Sequence, residues 1–204
     1  MNWLAHLALG GPDPVHRLGQ LAGDFVQGIA LDRLAPRLGL GIREHRAVDA
    51  FVDAHPAART VRALAPPGLE RFGGVVADVL FDHVLARQWA RRRPGLPFAA
   101  FRARVHADLA AHRAILPERL RRIAPRMSAE DWLGSYAERD GIADVLARME
   151  GRLRRPVPLR SAVRLLDEHG AALTAAFDRL WPDLEAFVRV RRAGAAAAGR
   201  RTTP

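Results

Sequence analysis

Apolar residues recur at helical spacing over most of the chain. Leu18, Leu21, Ala22, Phe25, Val26 and Ile29 predict an amphipathic helix over 15–29. A second begins near Ile42, continues through Val48, Phe51, Val52 and Ala58, and stops at Pro66 and Pro67. Residues 69–89 are apolar on several sides, with Val75, Val76, Val79, Leu80, Val84 and Leu85, which places that helix in the middle of a bundle. Pro94 and Pro97 separate it from a helix over 98–115, and Leu116–Pro117 opens a segment reaching 126. Ser128, with Asp131 in the following turn, predicts an N-cap. Further helices are expected over 137–152, 159–170 and 171–190, and no alternating stretch bounded by turn residues predicts a strand. The pattern is that of an all-α, single-domain helical bundle over residues 1–192. The Ala-, Gly- and Arg-rich tail, 193–204, is expected to be disordered.

A chain of 204 residues, 49% hydrophobic and 26% charged, has enough apolar material for one ordinary core. The absence of cysteine excludes disulfides, thiolate metal sites and cysteine nucleophiles, leaving oxygen and imidazole as metal ligands. No basic leader and no apolar run near the roughly 20 residues of a membrane span are visible, so a cytoplasmic location without membrane insertion is expected. The net charge is +10, and all 32 basic residues are arginine, five of them after the last acidic residue, Glu185. A positive surface favours an acidic partner, and nucleic acid and an acidic carrier protein suit it equally.

Three segments carry residues suited to chemistry. His45, Asp49 and Asp53 are spaced i, i+4, i+8 and share one helix face, although a solvated face paired with Arg43 and Arg46 is the plainer reading. Asp78 and Asp82 share a face of the oiliest helix, with His83 adjacent, and ionised groups are rare in such surroundings unless paired or bound to metal. The plainer reading there is a buried ion pair. Asp24 and His6 each interrupt an apolar run. Together His6, Asp24, His45, Asp49, Asp82 and His83 supply enough ligands for Mn²⁺, Mg²⁺ or Fe²⁺. Arg46, and one turn beyond His83 also Arg87, are candidates to clamp phosphate oxygens.

The opening Met1-Asn2-Trp3-Leu4-Ala5-His6-Leu7 resembles that of the acyl carrier protein phosphodiesterase family. So do Gly23-Asp24-Phe25-Val26-Gln27-Gly28, the stretch from Gly41 to Pro56, and the stretch from Asp78 to Trp89 with its Asp-His pair. The resemblance runs more weakly through Trp132, Tyr136, Gly141-Ile142 and Pro158-Leu159; Gln27 departs from it, standing where a basic residue is expected. It implies an HD-like helical hydrolase that uses a divalent cation, preferably manganese, to split holo-acyl carrier protein into the apo protein and 4′-phosphopantetheine. Asp24, His45, Asp49, Asp82 and His83 fall on the blocks that carry the resemblance, and we take these five as the metal ligands. Asp24 or Asp49 would be the general base and Arg46 would stabilise the phosphoryl charge, with His6, Asp53, Asp78 and Arg87 behind them. Two other readings are an HD-like phosphohydrolase acting on a nucleotide or other small phosphoester, and an arginine-rich helical nucleic-acid-binding protein. Against the last stand the 6% aromatic content and the lack of a recognition helix.

Overall fold

The computed structural model describes residues 1–201, the side chains at 196 and 198–201 excepted. Ten α-helices follow one another with short 3-10 turns between them, and no strand forms among the described residues. The all-α expectation therefore holds. Among these residues no helix is long and apolar enough to cross a membrane.

Local sequence sets the early elements. Helix α1, Trp3–Leu9, was foreseen only as an apolar run. Helix α2, Pro14–Ala22, starts where the Asp13 carboxylate accepts the N–H groups of Val15 and His16, with proline in the first turn. Helices α3, Pro36–Ala54, and α4, Pro56–Arg62, also open on proline, and the break between them falls at His55, whose ring accepts the Ala57 N–H. The continuous helix expected from Ile42 to Pro66 is thus two.

Helix α5, Gly73–Arg87, runs through the core, burying Val76, Val79, Leu80, Phe81, Asp82 and Leu85. Of the helices that follow, α6, Trp89–Arg92, and α9, Arg139–Glu150, pack against it, whereas α7, Phe98–Ala111, packs on α2 and on α8, Glu118–Ala129. Ser128 does not cap a helix. It lies in the last turn of α8, which ends at Ala129, and the chain then turns through Asp131 at a φ of 44°, where Arg102 pairs with the carboxylate. The last element, α10, Leu165–Arg201, consists of two helical segments that meet at a non-helical His169, one residue from the break expected at Gly170, while Leu159–Arg164 forms a 3-10 turn instead of the start of the first. It also continues past residue 192 through Arg201, where a disordered tail was expected; residues 202–204 lie outside the described residues.

The contact that makes the site is α2 against α3. A Cβ at Gly19 would fall 2.3 Å from the Leu38 carbonyl oxygen, and one at Gly41 would fall 2.1 Å from that of His16. Only glycine lets the two backbones approach so closely, and that approach sets Gln20 and Asp24 beside Glu44 and His45.

Candidate functional site

His6 enters from α1, whose inward face is entirely buried: Leu4, Ala5, Leu7 and Leu9 surround it. Its ring is completely buried and stacks on that of His45, with centroids 3.9 Å apart. His45 and Asp49 come from one face of α3, one turn apart, as their spacing predicted. Asp24 comes from the 3-10 turn Gly23–Phe25, which ends α2 well before the expected residue 29. A Cβ at Gly23 would stand 2.2 Å from Cδ2 of His45, so the glycine that breaks the helix also makes room for the imidazole.

These side chains converge. His6 Nε2 lies 3.0 Å from Asp49 Oδ1, and His45 Nε2 lies 3.1 Å from Asp49 Oδ2 and 3.5 Å from Asp24 Oδ1. The Trp3 indole N–H donates to Asp24 Oδ2 at 2.8 Å. One ligand atom each from His6, His45 and Asp49 lies within 4.8 Å of the others, an arrangement able to hold a metal ion. The rear nitrogens are spoken for: His45 Nδ1 faces the Gln20 carbonyl oxygen at 2.7 Å, and His6 Nδ1 faces Gln20 Oε1 at 3.2 Å.

The electrostatics follow from burial and pairing. Burial works against a charge on His45, but its hydrogen bonds to Asp24 and Asp49 outweigh that and hold the imidazole up at about 9. Burial would raise the Asp49 carboxyl; its bonds to His45 and His6 instead keep it well below the carboxylate range. Asp24 is also lowered, against burial, by His45 and by the Trp3 N–H. His6 is driven down by burial and stays neutral.

Asp24, Asp49, Asp53 and Asp78 line a cavity of about 270 Å³ together with Met1, Asn2, Val75 and Met149. Asp78 pairs with the Met1 α-amino group at 2.9 Å, and Asp53 pairs with Arg62. Both therefore border the cluster without belonging to it. Arg46 stands exposed three residues before Asp49, beside it on the helix surface but off the lining of the cavity.

Two expected ligands are elsewhere. Asp82 is fully buried and turns to α1, accepting the Leu4 N–H at 2.7 Å and the Ala5 N–H at 3.2 Å. The first turn of a helix has no internal partners for these groups, so the carboxyl closes α1 and holds His6 in place rather than touching the cluster. Burial pushes this carboxyl up to about 8, against the pull of the Met1 amine and the two N–H groups. His83 lies about 100° round α5 and faces the other way, Nδ1 at 2.8 Å from the Tyr136 carbonyl oxygen. It and Arg87 share a separate cavity with Gln88, Leu166 and Gly170. With Asp82 committed to α1 and His83 to Tyr136, the adjacent pair does not supply neighbouring ligands here.

Trp3, Gln20 and Glu44 were missed. Gln20 carried a signal, being polar between Leu18 and Leu21 on the apolar stripe of α2; Glu44 and Trp3 carried none until α2 and α3 met.

Fold and site define an all-α protein with a buried His–Asp centre opening on an acidic cavity. The family model for acyl carrier protein phosphodiesterase matches residues 1–184, and the chain belongs to that family. It is 31% identical over 192 residues to the acyl carrier protein phosphodiesterase of Pectobacterium atrosepticum, covering 94% of this chain and 100% of that one. The protein of the same name from Serratia proteamaculans is 32% identical over 184 residues, covering 90% and 95%. That from Salmonella dublin is 33% identical over 186 residues, covering 91% and 96%. No solved structure matches the chain.

Proposed function

We propose that this chain is a phosphodiesterase of the HD-like kind that hydrolyses the bond between the serine of holo-acyl carrier protein and 4′-phosphopantetheine, with a divalent cation at the His6–His45–Asp49 cluster. The observation that carries the reading is the convergence of His6 Nε2, His45 Nε2 and the Asp49 carboxylate at the head of an acidic cavity. The donor set fits a cation. His6 Nε2 faces only acceptors, Asp49 Oδ1 at 3.0 Å and the Met1 carbonyl oxygen at 3.1 Å, while Gln20 oxygens occupy both Nδ1 positions. A site built of acceptors needs protons on its rings or a positive ion between them. Imidazole with carboxylate suits Mn²⁺, and Mg²⁺ or Fe²⁺ are the alternatives. When bound, such a cation lowers the pKa of water and neutralises charge on the phosphoryl group.

The chain's own residues do the rest. Asp49 would be taken up as a ligand of the cation, which leaves Asp24 as the proton acceptor. Its Oδ2 is anchored by Trp3, and its Oδ1 is held loosely, 3.5 Å from His45. Arg46, exposed one turn before Asp49 on α3, would have to swing toward the cavity to bind phosphate oxygens, a role its guanidinium chemistry suits. Water adds to phosphorus, its proton passes to Asp24, the phosphorus–serine oxygen bond breaks, and the serine oxygen takes up a proton. Excess arginine would steer an acidic carrier protein to the enzyme in the cytoplasm.

The test is to incubate purified protein and Mn²⁺ with holo-carrier protein and weigh the carrier by mass spectrometry. Loss of the phosphopantetheine mass is expected. An unchanged carrier alongside hydrolysis of a nucleotide would overturn the substrate assignment while keeping the site.

A further inference from the structure

Gln20 touches both imidazoles of the cluster by two different groups. Its backbone carbonyl oxygen faces His45 Nδ1 at 2.7 Å, and its side-chain Oε1 faces His6 Nδ1 at 3.2 Å. The amide end cannot be read the other way round. Gln20 Nε2 lies 2.6 Å from Glu44 Oε1, and a carboxylate only accepts, so the NH₂ group must face Glu44 and the oxygen must face His6. Gln20 is completely buried and Glu44 is 5% exposed, so water does not relax this arrangement. Glu44 is itself fixed from outside: Arg192 of α10 donates Nε to its Oε2 at 3.0 Å and Nη2 to its Oε1. Arg192 lies beyond the residues that the family model matches.

We propose that Gln20 is a positioning residue that aims Nε2 of both His6 and His45 into the cluster, and that Glu44 locks it in the orientation that does so. With a cation at Nε2 the ring hydrogen of His6 sits on Nδ1 and needs the acceptor that Gln20 Oε1 supplies; without one, Asp49 Oδ1 and the Met1 carbonyl oxygen compete for that hydrogen at Nε2. Were the amide free to rotate, its NH₂ could face Nδ1 instead, the hydrogen would move to Nε2, and that nitrogen would be lost as a ligand. A partner behind the ligand of this kind changes metal affinity by about 10–100-fold. Both the tautomer and this consequence rest on the proposed metal site.

The test therefore has two arms on the full-length protein. In the first, histidine ring nitrogens are observed by ¹⁵N NMR at pH 8 with saturating Mg²⁺, a diamagnetic cation suited to the same ligands. In Glu44→Leu the proportion of His6 carrying its hydrogen on Nδ1 should fall, whereas Glu44→Gln, which can still offer Gln20 an oxygen, should match the native protein. In Gln20→Leu the His6 signals should shift and the His45 Nδ1 signal should stay, because the backbone carbonyl is unchanged. This variant also serves if Glu44→Leu does not fold. Identical His6 tautomers in all four proteins would overturn the proposal. In the second arm, Mn²⁺ titrations should show about 10–100-fold weaker binding for Gln20→Leu and Glu44→Leu and near-native binding for Glu44→Gln. Native protein that takes up neither Mg²⁺ nor Mn²⁺ would overturn the metal reading and the positioning role with it, whereas native uptake with unchanged tautomers and affinities in the variants would overturn the positioning role alone.

Discussion

The imidazole of His6 lies stacked on that of His45, centroids 3.9 Å apart, and both reach the same carboxylate, Asp49. Two imidazoles at this distance cannot both carry charge cheaply, and the molecule divides the roles: burial keeps His6 neutral while Asp24 and Asp49 favour charge on His45. A cation placed among them would replace the proton that now joins His45 to the carboxylates.

The first prediction concerns those ligands. His45→Ala and Asp49→Ala should each lower carrier-protein hydrolysis by about 100-fold or more, the scale of several kcal/mol of transition-state stabilisation. Mn²⁺ uptake should fall in parallel. Full activity in both variants would remove the cluster from the reaction.

His83 provides the control. Its Nδ1 is held by the Tyr136 carbonyl oxygen and its ring faces another cavity. His83→Ala should leave kcat/KM within about twofold of native, since a group outside the cluster contributes nothing specific to the transition state. A loss as deep as that of His45→Ala would reinstate His83 as a ligand.

Gly23 tests the packing behind the site. A methyl group there would stand 2.2 Å from His45 Cδ2, so Gly23→Ala must displace the ring or the turn. Weaker Mn²⁺ binding and a slower reaction are expected, with helical circular dichroism retained. An unaffected Mn²⁺ titration would show that His45 need not stay where it is.

Asp82 should matter through folding. Asp82→Ala leaves the Leu4 and Ala5 N–H groups buried without partners, at about 1–3 kcal/mol each, and denaturant unfolding should show it. The pH dependence has a definite sign. The folded-state pKa of Asp82 is raised to about 8, so the folded protein keeps a proton that the unfolded chain releases near 4. Its contribution to stability is complete below that lower value and is lost as pH rises toward 8. Native stability relative to Asp82→Asn should therefore fall between pH 4.5 and 6.5, by at most about 1.4 kcal/mol per pH unit. A constant difference between urea midpoints would mean that the buried carboxyl is already ionised.

The sequence by itself determined the helical class, the central place of α5 and the pairing of His45 with Asp49, because helical periodicity acts within one segment and puts residues four apart on one face. It also marked His6, Asp24 and Asp82 as unusual, being polar among apolar neighbours. Only the tertiary structure decided what each of them does. Asp24 and Asp82 both sit in apolar stretches of sequence, yet one lies exposed beside His45 and the other is fully buried and closes α1. The difference lies in which backbone arrives opposite: α3, brought against α2 by the paired glycines, or the open first turn of α1. Burial makes a partner necessary for a carboxylate, but a partner from another helix is supplied by packing, which no spacing along one segment encodes.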